Sequence, residues 1–70
     1  MNNREKSRNR VIANRLIAAR GTTRREVVAV AVNISVSALA MYESAARIPR
    51  DEIKIRLANF YGQPVSRLFF

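Results

Sequence analysis

The sequence contains no cysteine and no histidine, and it has only two glycines and two prolines. The absence of cysteine excludes a disulfide framework and a thiolate metal site. The absence of histidine removes the commonest general base and transition-metal ligand. Only five acidic residues remain, and they form no recognisable catalytic set. We therefore expect no enzyme activity, no metal site and no cofactor.

The chain also lacks long apolar runs. None approaches the roughly 20 residues that a membrane-spanning helix needs, and no signal-peptide pattern opens the sequence. Seventy residues make one small domain, which buries only about 60% of its unfolded surface and is therefore marginally stable alone. These features predict a soluble, cytoplasmic domain with no membrane partner. Dimerisation would stabilise such a small domain.

Positive charge is the property that the chain has in excess. Thirteen lysines and arginines against five acids give a net charge of +8. Such an excess favours binding to phosphate backbones, although a well-solvated basic surface would have the same composition. Residues 1–9 are polar and lack an apolar period, so we expect a flexible basic arm before a single domain at residues 10–70. Its candidate phosphate contacts, which could equally form a solubilising tail, are Arg4, Lys6, Arg8 and Arg10.

The remaining pattern predicts an all-α domain of five helices. Apolar residues recur at helical spacing, and residues suited to helix ends separate them. Gly21 and Gly62 are expected to end helices in the left-handed conformation. Acidic residues at 51 and 52 suit the first turn of a helix, and Pro64 suits the start of another. The predicted helices cover residues 10–20, 24–32, 36–43, about 51–61 and 64–69.

Two signals within the second predicted helix disagree. Valine alternates with alanine over residues 27–32, which locally resembles a strand, and valine is a mediocre helix former. However, Thr23 and Glu26 have the spacing of a capping box, which marks a helix start. A lone strand in so short a chain would have no partner, so we predict a helix that packing stabilises.

Residues 24–43 then predict a helix-turn-helix. Asn33 follows the last apolar residue of the second helix, where a left-handed residue is expected, and Ser35 can cap the third helix. Two short helices joined by such a turn form the geometry that seats a recognition helix in the DNA major groove. We expect Ile34 and Leu39 to face the core and Tyr42 to be partly buried.

Residues 14–69 resemble the Cro/repressor-type, lambda-repressor-like helix-turn-helix domains of phage, plasmid and bacterial regulators. No single motif is specific, but their order and spacing are. The resemblance implies a five-helix domain that binds palindromic double-stranded DNA as a homodimer, in the cytoplasm and associated with the nucleoid. The motifs that carry it are Arg20-Gly21, Thr23-x-x-Glu26, Asn33-Ile34-Ser35, Leu39-x-x-Tyr42-Glu43, Arg47-Ile48-Pro49-x-Asp51-Glu52, Leu57-Ala58-x-x-x-Gly62 and Leu68-Phe69.

The resemblance also implies the candidate DNA contacts. The family often has glutamine near the start of the second helix, where this chain has Arg24 and Arg25, which we interpret as phosphate contacts. Alternatively, both are exposed cations placed unfavourably for the helix dipole. Arg47, in the loop after the third helix, is a further candidate. The positions implied to read bases are Val36, Ser37, Ala38, Ala40 and Met41.

These base-reading positions depart from the family pattern, because only Ser37 carries a polar group. Apolar side chains can contact thymine methyl groups, but none of them forms the bidentate contacts that discriminate bases. We therefore predict binding dominated by phosphates, with modest preference for sequence or DNA shape. The alternative is that this face binds a protein.

A small transcriptional regulator, either repressor or activator, is the leading function. A repressor would block a promoter, whereas an activator would contact RNA polymerase or another protein. The alternative is a protein-interaction module, an antitoxin-like or adaptor subunit that keeps the fold but binds DNA weakly. Low aromatic content weakens an RNA-binding role. At the end of the chain, Phe69 is expected in the core, and Phe70 either pairs two protomers or simply forms the core edge.

Overall fold

The structure is a computed structural model that describes the backbone of residues 3–70 and the side chains of residues 6–70. Within these residues the chain forms five helices and no strand, which confirms the predicted all-α, five-helix fold. The helices are α1 (Asn3–Arg20), α2 (Arg25–Val32), α3 (Val36–Glu43), α4 (Asp51–Tyr61) and α5 (Val65–Phe69).

The core lies where the apolar faces of all five helices meet. The helix α1 packs against α3 and α5, α2 packs against α3 and α4, and α4 packs against α5. Each helix contributes at least one fully buried side chain to a single cluster. The largest of these side chains are Leu16, Leu39, Leu57, Leu68 and Val28.

The first helix begins at Asn3 and not at Arg10 as predicted. The polar segment before Arg10 therefore continues the helical backbone of α1, although it has no apolar face of its own. Its residues are good or moderate helix formers, and the packed half of α1 supplies the nucleus from which the helix extends. The division into an arm at residues 1–9 and a domain at residues 10–70 stays a prediction.

The start of α2 also differs from the prediction. Arg24 is the N-cap residue, without a side-chain cap, so the predicted capping box of Thr23 and Glu26 is wrong. The Thr23 carbonyl lies in the connection before α2 and accepts a hydrogen bond of 2.9 Å from the Arg20 Nη1 atom. Glu26 instead forms an exposed ion pair with Arg24 at 3.3 Å.

The helical prediction for the valine-rich segment is confirmed. Val28, Ala29 and Val32 are buried, whereas Val27 and Val30 lie on the outer face of α2. The burial has helical spacing, so packing overrides the strand-like alternation. No single helix in residues 3–70 is long and apolar enough to cross a membrane; α2 and α3 reach that length only together, as a pair bent by 110°.

The last two helices follow the predicted signals closely. Asp51 and Glu52 lie in the first turn of α4, and Gly62 ends it in the left-handed conformation with φ of 66°. Pro64 is the N-cap residue of α5, which begins at Val65. Phe69 is buried as expected, whereas Phe70 is 80% exposed.

Candidate nucleic-acid interface

The turn between α2 and α3 fixes how α3 projects from the domain. Asn33 is left-handed, with φ of 59° and ψ of 52°. Its N–H donates to the Val30 carbonyl at 3.2 Å, and the Ile34 N–H donates to the Ala29 carbonyl at 2.9 Å. These two bonds form a Schellman motif, which satisfies the last carbonyls of α2 and reverses the chain. As a result α3 leaves α2 at 110°.

Ser35 is the N-cap residue of α3, as predicted. Its backbone is extended, and its Oγ accepts a hydrogen bond of 2.9 Å from the Ala38 N–H. The cap orders the first turn of α3 without covering it, because Ser35 itself is exposed. The positive end of the helix dipole therefore faces solvent, where it can meet a phosphate group.

The outer face of α3 carries the side chains that the sequence places there, with different degrees of exposure. Val36 is 40% exposed, and Ser37 is exposed as well. Ala40 and Met41 are half-buried, and Ala38 packs partly against the core. On the inner face Leu39 and Tyr42 are buried and Ile34 packs against the core, as expected from the sequence. Ala38, which was expected on the outer face, packs partly against the core.

Glu43, the only acid on α3, is buried, and two arginines neutralise it. Its side chain is 1% exposed. The Arg20 guanidinium donates from Nε to Oε2 at 2.8 Å and from Nη2 to Oε1 at 3.0 Å. Arg25 donates from Nε to Oε1 at 3.0 Å. The carboxylate thus links the end of α1, the start of α2 and the end of α3, while α3 shows solvent no negative charge.

This ion cluster has a defined electrostatic state. The hydrogen bond to Glu43 raises the pKa of Arg20 above its ordinary value, although burial opposes the shift. Burial raises the pKa of Tyr61 to about 12, with the Glu43 carboxylate adding to the shift. The Tyr61 hydroxyl is buried and has no hydrogen-bond partner among the described residues. Arg20 therefore stays charged and Tyr61 stays neutral at neutral pH.

The two arginines predicted at the start of α2 occupy different positions. The Arg24 side chain is 80% exposed, and its partner Glu26 is 59% exposed. Such a pair is held weakly in water, so Arg24 can turn to a phosphate. The Arg25 side chain is 42% exposed and bound to Glu43. It therefore supports α3 from the side while part of its guanidinium still reaches solvent.

The cations of α1 divide between two sides of that helix. Lys6 and Arg10 line a cleft beside Ser44 and Ala45, in the turn after α3. Arg10 closes the cleft by donating from Nη2 to the Ser44 carbonyl at 3.4 Å. Arg47 is exposed in the same connection after α3 but does not line this cleft.

Arg8 does not line this cleft either. Residues two apart on a helix differ by about 200° in direction, so Arg8 lies opposite to Lys6 and Arg10. It lines a groove on the other side of α1. The Arg4 side chain lies outside the described residues. Of the predicted α1 contacts, the structure therefore brings Lys6 and Arg10 to the turn that follows α3.

The roles of Arg20 and Glu43 are the main feature that the sequence reasoning missed. Both residues belong to the motifs that carry the family resemblance, but those motifs do not state that they pair. They lie 23 residues apart in sequence, beyond the reach of helix periodicity. The signal available in the sequence was Glu43, a single acidic residue in a helix, α3, that has no other charged residue.

A family model described as helix-turn-helix matches residues 12–68 of the chain. The match spans α2, α3, α4 and most of the packed part of α1. The chain matches no curated protein and no solved structure.

Proposed function

This chain belongs to the helix-turn-helix family, and on that premise we propose that it is a double-stranded DNA-binding transcriptional regulator that inserts α3 into the major groove. The observation that carries the proposal is the paired state of Glu43. The phosphates repel a free carboxylate on a helix that enters the groove, so a paired carboxylate favours entry. The only carboxylate of α3 points inward, where Arg20 and Arg25 bind it.

The proposed contacts fall into two groups. Phosphate contacts come from Arg24 before α2, Arg47 after α3 and the α1 pair Lys6 and Arg10, with Arg25 reaching the backbone from its place beside Glu43. Base contacts come from the outer face of α3. Ser37 is the polar member of that face, so sequence preference is modest and DNA shape contributes to it. The other members of the face are Val36, Ala38, Ala40 and Met41.

The wider biology follows from the family premise. We propose that the protein acts in the cytoplasm, on the nucleoid, as a homodimer that binds two half-sites. Occlusion of a promoter would make it a repressor. Contact with RNA polymerase or another protein would make it an activator.

A second candidate function is a protein-interaction module, because the α3 face is mostly apolar. Val36 is 40% exposed, and Ala40 and Met41 flank it on the same helix. An antitoxin-like or adaptor subunit would bind its partner through this face and would bind DNA weakly at physiological salt.

The experiment that separates the two is a salt series of binding to random and selected DNA duplexes. Arg24→Ala and Arg47→Ala should each lower affinity on all sequences and reduce the slope of log affinity against log salt by about 1. Ser37→Ala should change sequence preference and leave that slope unchanged. Arg67→Ala is the matched control, because Arg67 is exposed on α5, away from the proposed interface.

Two results would contradict DNA binding through α3. One is the absence of a saturable complex with any duplex. The other is an equal effect of Arg67→Ala and Arg24→Ala, since nonspecific attraction to the basic chain would then explain the binding.

A further inference from the structure

A groove of about 490 Å³ lies between α1 and the end of the chain. Its apolar lining comes from α1, the loop before α4, α5 and the residue after α5, namely Val11, Ile12, Ile48, Phe69 and Phe70. Its rim carries the cations Arg8, Arg15 and Lys54, and no acidic side chain lines it among residues 6–70. The groove thus combines apolar surface with three cations, one of which, Lys54, lies 3.7 Å from the carboxylate of Asp51, whose side chain is 96% exposed.

The α1 side of the groove is a continuous helical stripe. Arg8, Val11, Ile12 and Arg15 have the spacing of positions i, i+3, i+4 and i+7, which share one face of a helix. Val11 is 45% exposed although it is apolar. This face of α1 therefore has an apolar centre between two arginines.

Lys54 closes the opposite side. Its side chain is 15% exposed, so its aliphatic part is mostly covered. The ammonium group lies 5.2 Å from the ring centroid of Phe70 and 5.8 Å from that of Phe69. A cation held over two aromatic rings at the end of an apolar lining suits a carboxylate that accompanies an apolar side chain.

We propose that this groove is a docking site for an acidic segment of a partner protein, in which an aromatic or branched aliphatic side chain is flanked by carboxylates. The anchor covers the exposed side chains of Val11 and Phe70, and the carboxylates meet Arg8, Arg15 and Lys54. Charged rims around a desolvated apolar centre are typical of such peptide sites.

The same chemistry disfavours the other occupants. A second copy of the chain pairing through the same groove would set Arg8, Arg15 and Lys54 against the same cations of its partner. Such like charges in an interface are unfavourable. A DNA backbone would pair with the rim but would leave the apolar lining without a partner. The groove also lies on the side of α1 that faces away from the Lys6 and Arg10 cleft.

The test uses a fluorescein-labelled peptide in which phenylalanine and leucine are flanked by aspartates, with the full chain at physiological salt. Arg15→Glu and Val11→Ser should each weaken binding about tenfold, which corresponds to about 1.4 kcal/mol. Two matched controls make the same chemical changes outside the groove. Arg67→Glu alters an exposed arginine of α5, and Val30→Ser alters a valine that is 82% exposed on α2; both should change binding less than twofold.

Several outcomes would overturn the proposal. Equal binding of a peptide with serine in place of its apolar anchors would show simple charge attraction. An equal loss of peptide affinity in Arg67→Glu and Arg15→Glu would also show simple charge attraction. Displacement of the peptide by duplex DNA, with Arg15→Glu losing more DNA affinity than Arg67→Glu, would assign the groove to DNA. Concentration-dependent dimerisation that Val11→Ser abolishes would assign it to a second copy.

Discussion

Glu43 combines two properties that rarely occur together on a surface helix, since it is charged and nearly completely buried. Burying a carboxylate costs several kcal/mol unless hydrogen bonds and opposite charges offset that cost. Arg20 and Arg25 supply three hydrogen bonds to it. The cluster thereby ties α1 and α2 to the last residue of α3.

We predict that Glu43→Gln lowers the free energy of unfolding by about 2–3 kcal/mol, because two guanidinium groups lose their shared partner. The value lies below that of a wholly buried pair because Arg25 is 42% exposed. Urea denaturation measures the change. The control is Glu26→Gln, in an exposed pair with Arg24, and it should cost less than about 0.5 kcal/mol. Similar losses in the two variants would show that the Glu43 cluster does not hold the helices together.

The starts of α2 and α3 are fixed in different ways, and together they set the orientation of α3. At the start of α3 the Ser35 hydroxyl accepts from the Ala38 N–H, whereas at the start of α2 the N-cap residue makes no side-chain bond. The helix α3 is therefore capped by its own sequence, whereas the first residue of α2, Arg25, is held by its ion pair with Glu43.

This difference yields a prediction for two similar substitutions. Ser35→Ala should lower the free energy of unfolding by about 1 kcal/mol, the usual loss for a helix cap. Thr23→Ala should stay within about 0.5 kcal/mol, because the Thr23 side chain does not cap α2. Thermal or chemical denaturation of both variants measures the contrast. A larger loss of unfolding free energy in Thr23→Ala than in Ser35→Ala would indicate that Thr23 and Glu26 form the capping box that the sequence suggests. It would contradict the observed start of α2.

The same contrast explains what the sequence could predict. Asn33, Ser35 and Gly62 act through neighbouring backbone atoms, so their types and positions predicted the turn and the ends of α3 and α4 correctly. Arg20 and Glu43 act across the fold, and local patterns carry no information on such a pair. The split between Arg8 and Arg10 was also inaccessible, because it depends on α1 beginning at Asn3. If the segment before Arg10 is not taken as helical, the pattern does not distinguish the directions of the four basic residues Arg4, Lys6, Arg8 and Arg10.

At the scale of the whole molecule, α1 separates two surfaces of different character. On one side α3 and the Lys6 and Arg10 cleft form the proposed DNA interface. On the other side the groove lined by Val11, Arg15 and Phe70 has an apolar lining. The groove and the cleft share no described lining residue, so the two proposed ligands do not compete for the same side chains there. The domain would then connect a DNA site to a second protein.

The most direct measurement of the central claim is a titration of the isotope-labelled protein with duplex DNA, followed by the NMR shifts of its backbone amides. The account predicts that the largest changes fall on Val36, Ser37 and Met41 of α3 and on the flanking residues Arg24 and Arg47. The amides of Val11 and Arg15, in the groove, should change little. Changes centred on Val11 and Arg15 with α3 unaffected would contradict the claim that α3 meets DNA.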